Sequence, residues 1–134
     1  MKRASSKTPA KAATKRVRSA SAVSKRNRER GAEFERYIAE CITAGCGVPA
    51  KRRLGQAREG GHDIDSDFPY TVECKRVAKL GRLTPWMRQA VEASLATGRP
   101  PVVITRADKG EAYAVLRLTD FLAIVRGSLM EDLL

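Results

Sequence analysis

The stretch 62-HDIDSDFPYTVECKRV-77 decides the fold. Polar and apolar residues alternate on both sides of Pro69-Tyr70, the period of a half-buried strand. The alternation predicts one strand over 62–68 and a second over 71–77, joined at a turn around Pro69. In the first, Asp63, Asp65 and Asp67 share one face, with Ile64 and Phe68 opposite. In the second, Glu73 and Lys75 share a face, about 6.6–7 Å apart along the strand, while Val72 and Cys74 point the other way. An antiparallel hairpin would superpose the acidic faces. One register sets Asp63 across from Glu73, and a two-residue shift sets Asp65 there. Either brings an Asp and a Glu to about 4.5–5.5 Å between Cβ atoms.

Two carboxylates that close repel each other unless something neutralises them. A divalent cation does so, and Mg²⁺ typically takes one or two carboxylates plus waters and substrate phosphate. Its bound water becomes a better nucleophile and charge on the phosphate is stabilised. A lysine on the same face can position that water or assist its deprotonation. These residue types suffice for phosphodiester hydrolysis without His or Cys. The competing reading is a solvated polar face, whose ion pairs are worth only tenths of a kcal/mol each. Gly60 and Gly61 lead directly into Asp63, which suits close backbone approach to a ligand.

The rest of the inventory narrows the metal chemistry. His62 is the single histidine, which excludes a multi-histidine site. Cys41, Cys46 and Cys74 contain no C-x-x-C, which argues against a zinc ribbon or disulfide framework and fits a reducing compartment. A metal here must be held by carboxylates, which favours Mg²⁺ or Mn²⁺.

Outward from the two strands, "GAEFERYIAECITAG" (31–45) places Phe34, Ile38, Cys41, Ile42 and Gly45 on one helical face, with Gly45 and Gly47 as stops. "KRRLGQAREGG" (51–61) reads as a short strand and a flexible loop. Thr84 is an N-cap candidate and Pro85 suits the first helical position, so a helix is expected over 85–97, ending at Gly98. "PPVVITR" (100–106) reads as a buried strand, "ADKG" as a turn and "EAYAVLRL" (111–118) as a returning strand. Thr119 can cap a last helix over 120–127. The order is α-β-β-β-α-β-β-α, an α/β fold in which a mixed sheet lies between helices. With 134 residues, one domain is expected over 26–127, followed by a short tail, 128–134.

Charge is concentrated at the front. Residues 1–30 carry 11 of the 26 Lys and Arg residues and one acidic residue, Glu29, whereas the remainder is close to neutral. Residues 1–25 have no aromatic residue and too little apolar surface to offset ordering entropy, so a disordered basic arm is expected there. Such an arm points to polyanions through phosphate neutralisation, or to a solubilising tail. No apolar run reaches membrane-spanning length.

Together, "GGHDI…VECKR", preceded by "RERGAEFER" and followed by a helix carrying "WMRQA", resembles the PD-(D/E)xK nuclease superfamily, nearest to its archaeal-type and phage Holliday junction resolvases. The resemblance covers roughly residues 27–125. It implies a restriction-endonuclease-like core and a Mg²⁺-dependent endodeoxyribonuclease, with Mn²⁺ as substitute. Motif by motif, it assigns Asp63 and Glu73 as metal ligands and Lys75 to the water, with the Cys74 carbonyl as a further ligand. Glu35, in Gly31-x-x-x-Glu35-Arg36, would bind metal through water, with Glu33 as a weaker rival, and Gln89 matches a glutamine of the following helix. The motif's usual proline before the aspartate is His62 here, which leaves Asp63 against Asp65 open.

Trp86 is a packing residue at a helix start or a base-stacking platform. Arg28, Arg30, Lys51, Arg52, Arg53, Arg58, Arg76, Lys79 and Arg82 are the phosphate-contact candidates. The expected partner is branched DNA and the expected assembly a homodimer, since resolvases cut two symmetric strands. The expected setting is the cytoplasm of a bacterial or phage-infected cell. The alternatives are a non-catalytic basic DNA-binding protein, or a nuclease of this fold acting on flaps, nicked duplex or RNA.

Overall fold

The computed structural model describes residues 10–55 and 60–131. The chain divides into two units, at Arg30. Helix α1 is Ala10–Cys46. Side chains 20–30 are all exposed. The backbone from Ala10 is helical where an unstructured arm is expected as far as about residue 25. Ala, Lys and Arg are favourable helix formers and supply that local preference without tertiary contacts. Residues 1–9 of the arm lie outside the described residues.

From Gly31 onward α1 is amphipathic. Phe34, Ile38, Ala39 and Ile42 are buried and pack with Ile64, Val72 and Val102 into one core cluster. Each large side chain there stabilises the fold by about 1.5–3 kcal/mol. Cys41, placed by periodicity on the buried face, is exposed, and Ala39 takes the buried position instead. Gly47, at φ 68°, lets the chain turn out of the helix, with its N–H donating to the Thr43 carbonyl at 3.0 Å. The Thr43 hydroxyl then accepts from the Ala50 N–H at 3.0 Å and leads the chain into the first strand.

Strands β1 (Ala50–Arg52) and β2 (Ile64–Ser66) pair antiparallel, with Lys51 opposite Asp65. Strand β3 (Thr71–Val77) pairs in parallel with β4 (Pro101–Ala107), and β4 pairs antiparallel with β5 (Ala112–Val115). The parallel pair requires a crossover, supplied by α2 (Leu83–Thr97). The expected β2–β3 hairpin ladder does not form. β2 takes β1 as its ladder partner, and only the residue before β2 reaches β3, through Asp63 N–H to Val72 O at 3.0 Å.

The element order agrees with that read from the sequence, and the sheet is mixed. Three helix boundaries differ. The residue preceding α2 is Arg82, in the left-handed region at φ 51°, and not Thr84. Pro85 still falls within the first turn, where its missing N–H has no helical partner to lose. Gly98 ends α2 as expected, its N–H bonding Ser94 O. Helix α3 (Leu118–Glu131) begins before Thr119 and runs through Gly127, past the expected stop. Among the described residues no helix is long and apolar enough to cross a membrane.

Candidate active site

The site forms where the start of β2 meets β3. Residues on α1, β3 and α2 complete it. Asp63 brackets Glu73 along the chain. Its N–H donates to the carbonyl of Val72, and its Oδ2 accepts from the Cys74 N–H at 2.7 Å. The aspartate is thereby fixed beside Glu73 by main-chain groups rather than by a strand ladder. On the other face, Val72 packs into the core, and Cys74 packs against it. β4 pins the strand from its far edge, and the buried Thr105 hydroxyl donates to the Lys75 carbonyl at 2.9 Å.

Both carboxylates are out of solvent, Asp63 at 7% and Glu73 at 2% exposure. Burial, reinforced by the neighbouring Glu73 charge, pushes the Asp63 carboxyl up to about 7, against partial relief from the Cys74 N–H. Burial also raises Glu73, opposed by its bond to Lys75. Lys75 Nζ donates to Glu73 Oε1 at 2.8 Å and to Gln89 Oε1 at 2.8 Å. Gln89 projects from α2, so that helix orients the ammonium. An ammonium has three N–H groups, and these two bonds leave a third for a water or a phosphate oxygen. Glu73 Oε2 is buried with no hydrogen-bond partner among the described residues. An orphaned buried carboxylate oxygen has the chemistry of an open ligand position.

Glu35 lies close enough to raise both carboxyls through its charge, and its own Oε2 accepts a short hydrogen bond from Arg52 Nε. The sequence candidates Glu35, Asp63, Glu73, Lys75 and Gln89 therefore gather at one place. Glu33, the rival to Glu35, is exposed. Asp65 is not beside Glu73. It pairs with Lys51 across β1–β2 and accepts from His62 Nε2 at 3.2 Å. Asp67 has a fully exposed side chain. Of the two aspartates, Asp63 is the one buried against β3.

Among the described residues no group of three or more His, Cys, Asp and Glu side chains forms a metal cage. A cation at this position would rest on Asp63, Glu73 and the Cys74 carbonyl, with water and substrate completing its shell. That donor set suits Mg²⁺ rather than zinc. The Cys74 thiol is pushed up, first by burial and then by Asp63, so it stays protonated and is no nucleophile.

The basic candidates are less uniform. Arg52 is engaged by Glu35, and Arg76 by Asp108 at 3.2 Å. Arg53 Nη1 bonds His62 Nδ1 at 3.2 Å. Lys51, Lys79 and Arg82 are exposed. Arg28 and Arg30 belong to the N-terminal unit, and Arg58 lies outside the described residues. Trp86 is half-buried in the first turn of α2.

Spacing alone does not single out two further contributors. Thr105 is one, and its signal is a polar residue within the apolar run of β4. The other is the His62–Asp65–Arg53 cluster. His62 sits close enough to Glu73 to favour its charged form, and Gly61 before it, at φ 106°, leaves room for Arg53 Nη1 only 2.6 Å from where a Cβ would stand.

A family model described as "Phage putative PDDEXK endonuclease" matches residues 26–131. The chain belongs to that family, which marks it as a nuclease of PD-(D/E)xK type. No curated protein and no solved structure matches it.

Proposed function

We propose that this family member is a metal-dependent endonuclease that hydrolyses phosphodiester bonds in DNA, with branched DNA as the preferred substrate. The observation that carries the chemistry is the buried Asp63–Glu73 pair, whose Glu73 Oε2 has no partner, set beside a lysine held by Gln89. A passive DNA-binding surface gains nothing from burying two repelling carboxylates, which lowers stability unless a cation is taken up. A divalent cation, when bound, supplies charge stabilisation at the phosphate and a more acidic water.

The chain's own residues do the rest. Asp63 and Glu73 fix the position of the cation relative to β3. Lys75, held by Glu73 and Gln89, points its remaining N–H at the reacting water or phosphate oxygen and restrains its orientation. Water attacks phosphorus as the bond to the leaving oxygen breaks, and the proton lost by the water passes to solvent or to a neighbouring base. Glu35 adds negative charge from α1 and is itself kept in place by Arg52.

The preference for branched DNA rests on the resemblance of "GGHDI…VECKR" and "RERGAEFER" to resolvases. That reading also implies a homodimer presenting two sites. The test is cleavage of a synthetic four-way junction in Mg²⁺ or Mn²⁺, beside flap, nicked-duplex and RNA substrates. Wild type should cut the junction best, and Asp63→Ala, Glu73→Ala and Lys75→Ala should bind without cutting. Tight binding by wild type with no cleavage of any substrate would overturn the hydrolytic reading. Equal cleavage of all DNA substrates would overturn only the branched preference.

A further inference from the structure

Helix α3 shows large apolar side chains to solvent along its length. Leu118, Phe121, Leu122 and Val125 follow the spacing i, i+3, i+4, i+7 and form one stripe, with Ile124 on its flank. All five are exposed, Leu118 at 69% and Leu122 at 53%, and none belongs to the core cluster. Three residues before the helix begins, β5 ends at Val115. Together with Leu80, Leu83 and Tyr113, that strand lines an open, mostly apolar groove of about 700 Å³. Leu80, Leu83 and Tyr113 are themselves about half exposed. An amphipathic helix with its apolar stripe in water lacks the partner its sequence is written for.

We infer that the stripe of α3 is the surface on which a second copy of this chain docks, α3 packing antiparallel against α3. The size fits. At their exposed fractions the five helix residues alone offer roughly 450 Å² of surface, more than half of the about 800 Å² per partner in a standard interface. Self-complementarity fits as well. A two-fold axis between Ala123 and Ile124 sets Leu122 opposite Val125 of the partner subunit. The same axis opposes the helix dipoles and brings Arg117, which precedes the helix and already holds Asp120 of its own chain at 2.7 Å, near Glu131 of the partner subunit.

Other occupants fit less well. The parts of this chain outside the described residues, "MKRASSKTP", "QARE" and "DLL", hold three large apolar residues, Met1, Leu133 and Leu134, too few to cover such a stripe. A lipid surface would call for a basic margin, whereas the charges on and beside α3, Arg117, Asp120, Arg126, Glu131 and Asp132, include two basic and three acidic residues. The homodimer in the proposed function rests on the resolvase resemblance. The docking of α3 on α3 rests on surface alone and would hold for a chain with no nuclease activity.

The test is sedimentation of the full chain in high salt, which suppresses contacts through the basic arm. Wild type should sediment at about twice 14.7 kDa at about 50 µM, a range in which a standard-size interface is populated. The double variant Leu118→Glu/Leu122→Glu should sediment as a monomer with unchanged circular dichroism, since neither side chain is buried within its own chain, and should melt where wild type melts when diluted below dimerisation. Thr119→Glu, off the stripe, should leave the dimer intact. A monomeric wild type, a dimer that survives the double variant, or flotation of the protein with anionic vesicles in place of dimerisation would each overturn the assignment. Cleavage is scored separately. A dimer that never cuts DNA overturns the proposed chemistry and leaves this surface standing, and a monomer that cuts does the reverse.

Discussion

Replacing Asp63 with asparagine should make the cation-free protein more stable while removing its activity. The buried carboxyl at position 63 has its pKa pushed up to about 7, from an ordinary 3.8. The sign follows from proton counting. Between these two values the folded chain keeps a proton that the unfolded chain has released, so stability falls as pH rises through the window. The contribution is complete below 3.8 and lost above about 7. A displacement of about three pH units at 1.36 kcal/mol each sets a ceiling of about 4 kcal/mol. Because Glu73 titrates alongside and the pair shares the effect, about 2–3 kcal/mol is the expected loss from Asp63 itself.

The asparagine of Asp63→Asn would carry no charge at any pH, and its amide oxygen can still accept from the Cys74 N–H, so the bracket around Glu73 survives. The assay is urea unfolding of wild type and Asp63→Asn in chelator at pH 5 and pH 8. At pH 5 about a third of that window has been crossed, so the variant should already lead by about 1 kcal/mol. At pH 8 the variant should be more stable by about 2–3 kcal/mol, a large share of a typical domain's roughly 5–15 kcal/mol. Adding Mg²⁺ at pH 8 should stabilise wild type and leave the variant unmoved. A variant no more stable than wild type at pH 8 without metal, or a wild type whose stability does not fall between the two pH values relative to the variant, would refute the reasoning.

Four further outcomes are expected. Lys75→Ala should lower cleavage at least about 100-fold with binding kept, and Gln89→Ala by about 3–10-fold, one hydrogen bond's worth; equal effects in single-turnover kinetics would contradict the positioning role of Gln89. Arg52→Ala leaves the half-buried Glu35 carboxylate without its cation and should lower the urea midpoint, by about 1–3 kcal/mol of stability, with partial recovery in Arg52→Ala/Glu35→Gln; no recovery would mean the two do not act as a pair. Gly61→Ala, at φ 106° and 2.6 Å from Arg53 Nη1, should destabilise by about 1–2 kcal/mol and abolish the His62 ring shift that reports the Arg53 bond; a neutral effect by melting and NMR would remove the close-approach argument. Deleting residues 1–25 should flatten the salt dependence of DNA binding, by about 0.9 in slope for each phosphate the arm no longer neutralises; an unchanged slope would take the arm out of the DNA interface.

Local patterns in the sequence carry most of this architecture, and pairings between distant segments carry what those patterns miss. Phe34, Ile38 and Ile42 fall on one helical face because the period alone requires it, and they are buried together. Cys41 satisfies the same period but lies at the edge of the stripe, where the small Ala39 fits closer to the sheet. Strand parity puts Glu73 and Lys75 on one face, and that holds. The partner of β2 is not legible, because any alternating strand can pair on either edge. A loop through Gly60 and Gly61 returns the chain to β1, and that choice is settled by tertiary packing. Glycine misleads at position 127, since a glycine inside a helix costs only about 1 kcal/mol and does not by itself end it. Low apolar content alone argues for disorder in the arm, and it says little about the local helix preference of Ala, Lys and Arg.

The geometry of the acid pair explains why the site must take up positive charge. Asp63 cannot swing away from Glu73, because its own N–H and carboxylate are both committed to the main chain on either side of that glutamate. Glu73 cannot withdraw either. Its strand is held by the core through Val72 and by β4 through Thr105, and its Oε1 is fixed by Lys75. With relaxation blocked, Lys75 offsets one charge of the pair, and Glu35 nearby adds another negative charge. What remains is relieved by a proton at low pH or by a cation at high pH. The two compete for the same pair, so cation affinity should rise with pH as the Asp63 proton leaves. The polar cluster on β3 is better understood as a negative charge held rigid by the fold than as a set of surface ion pairs.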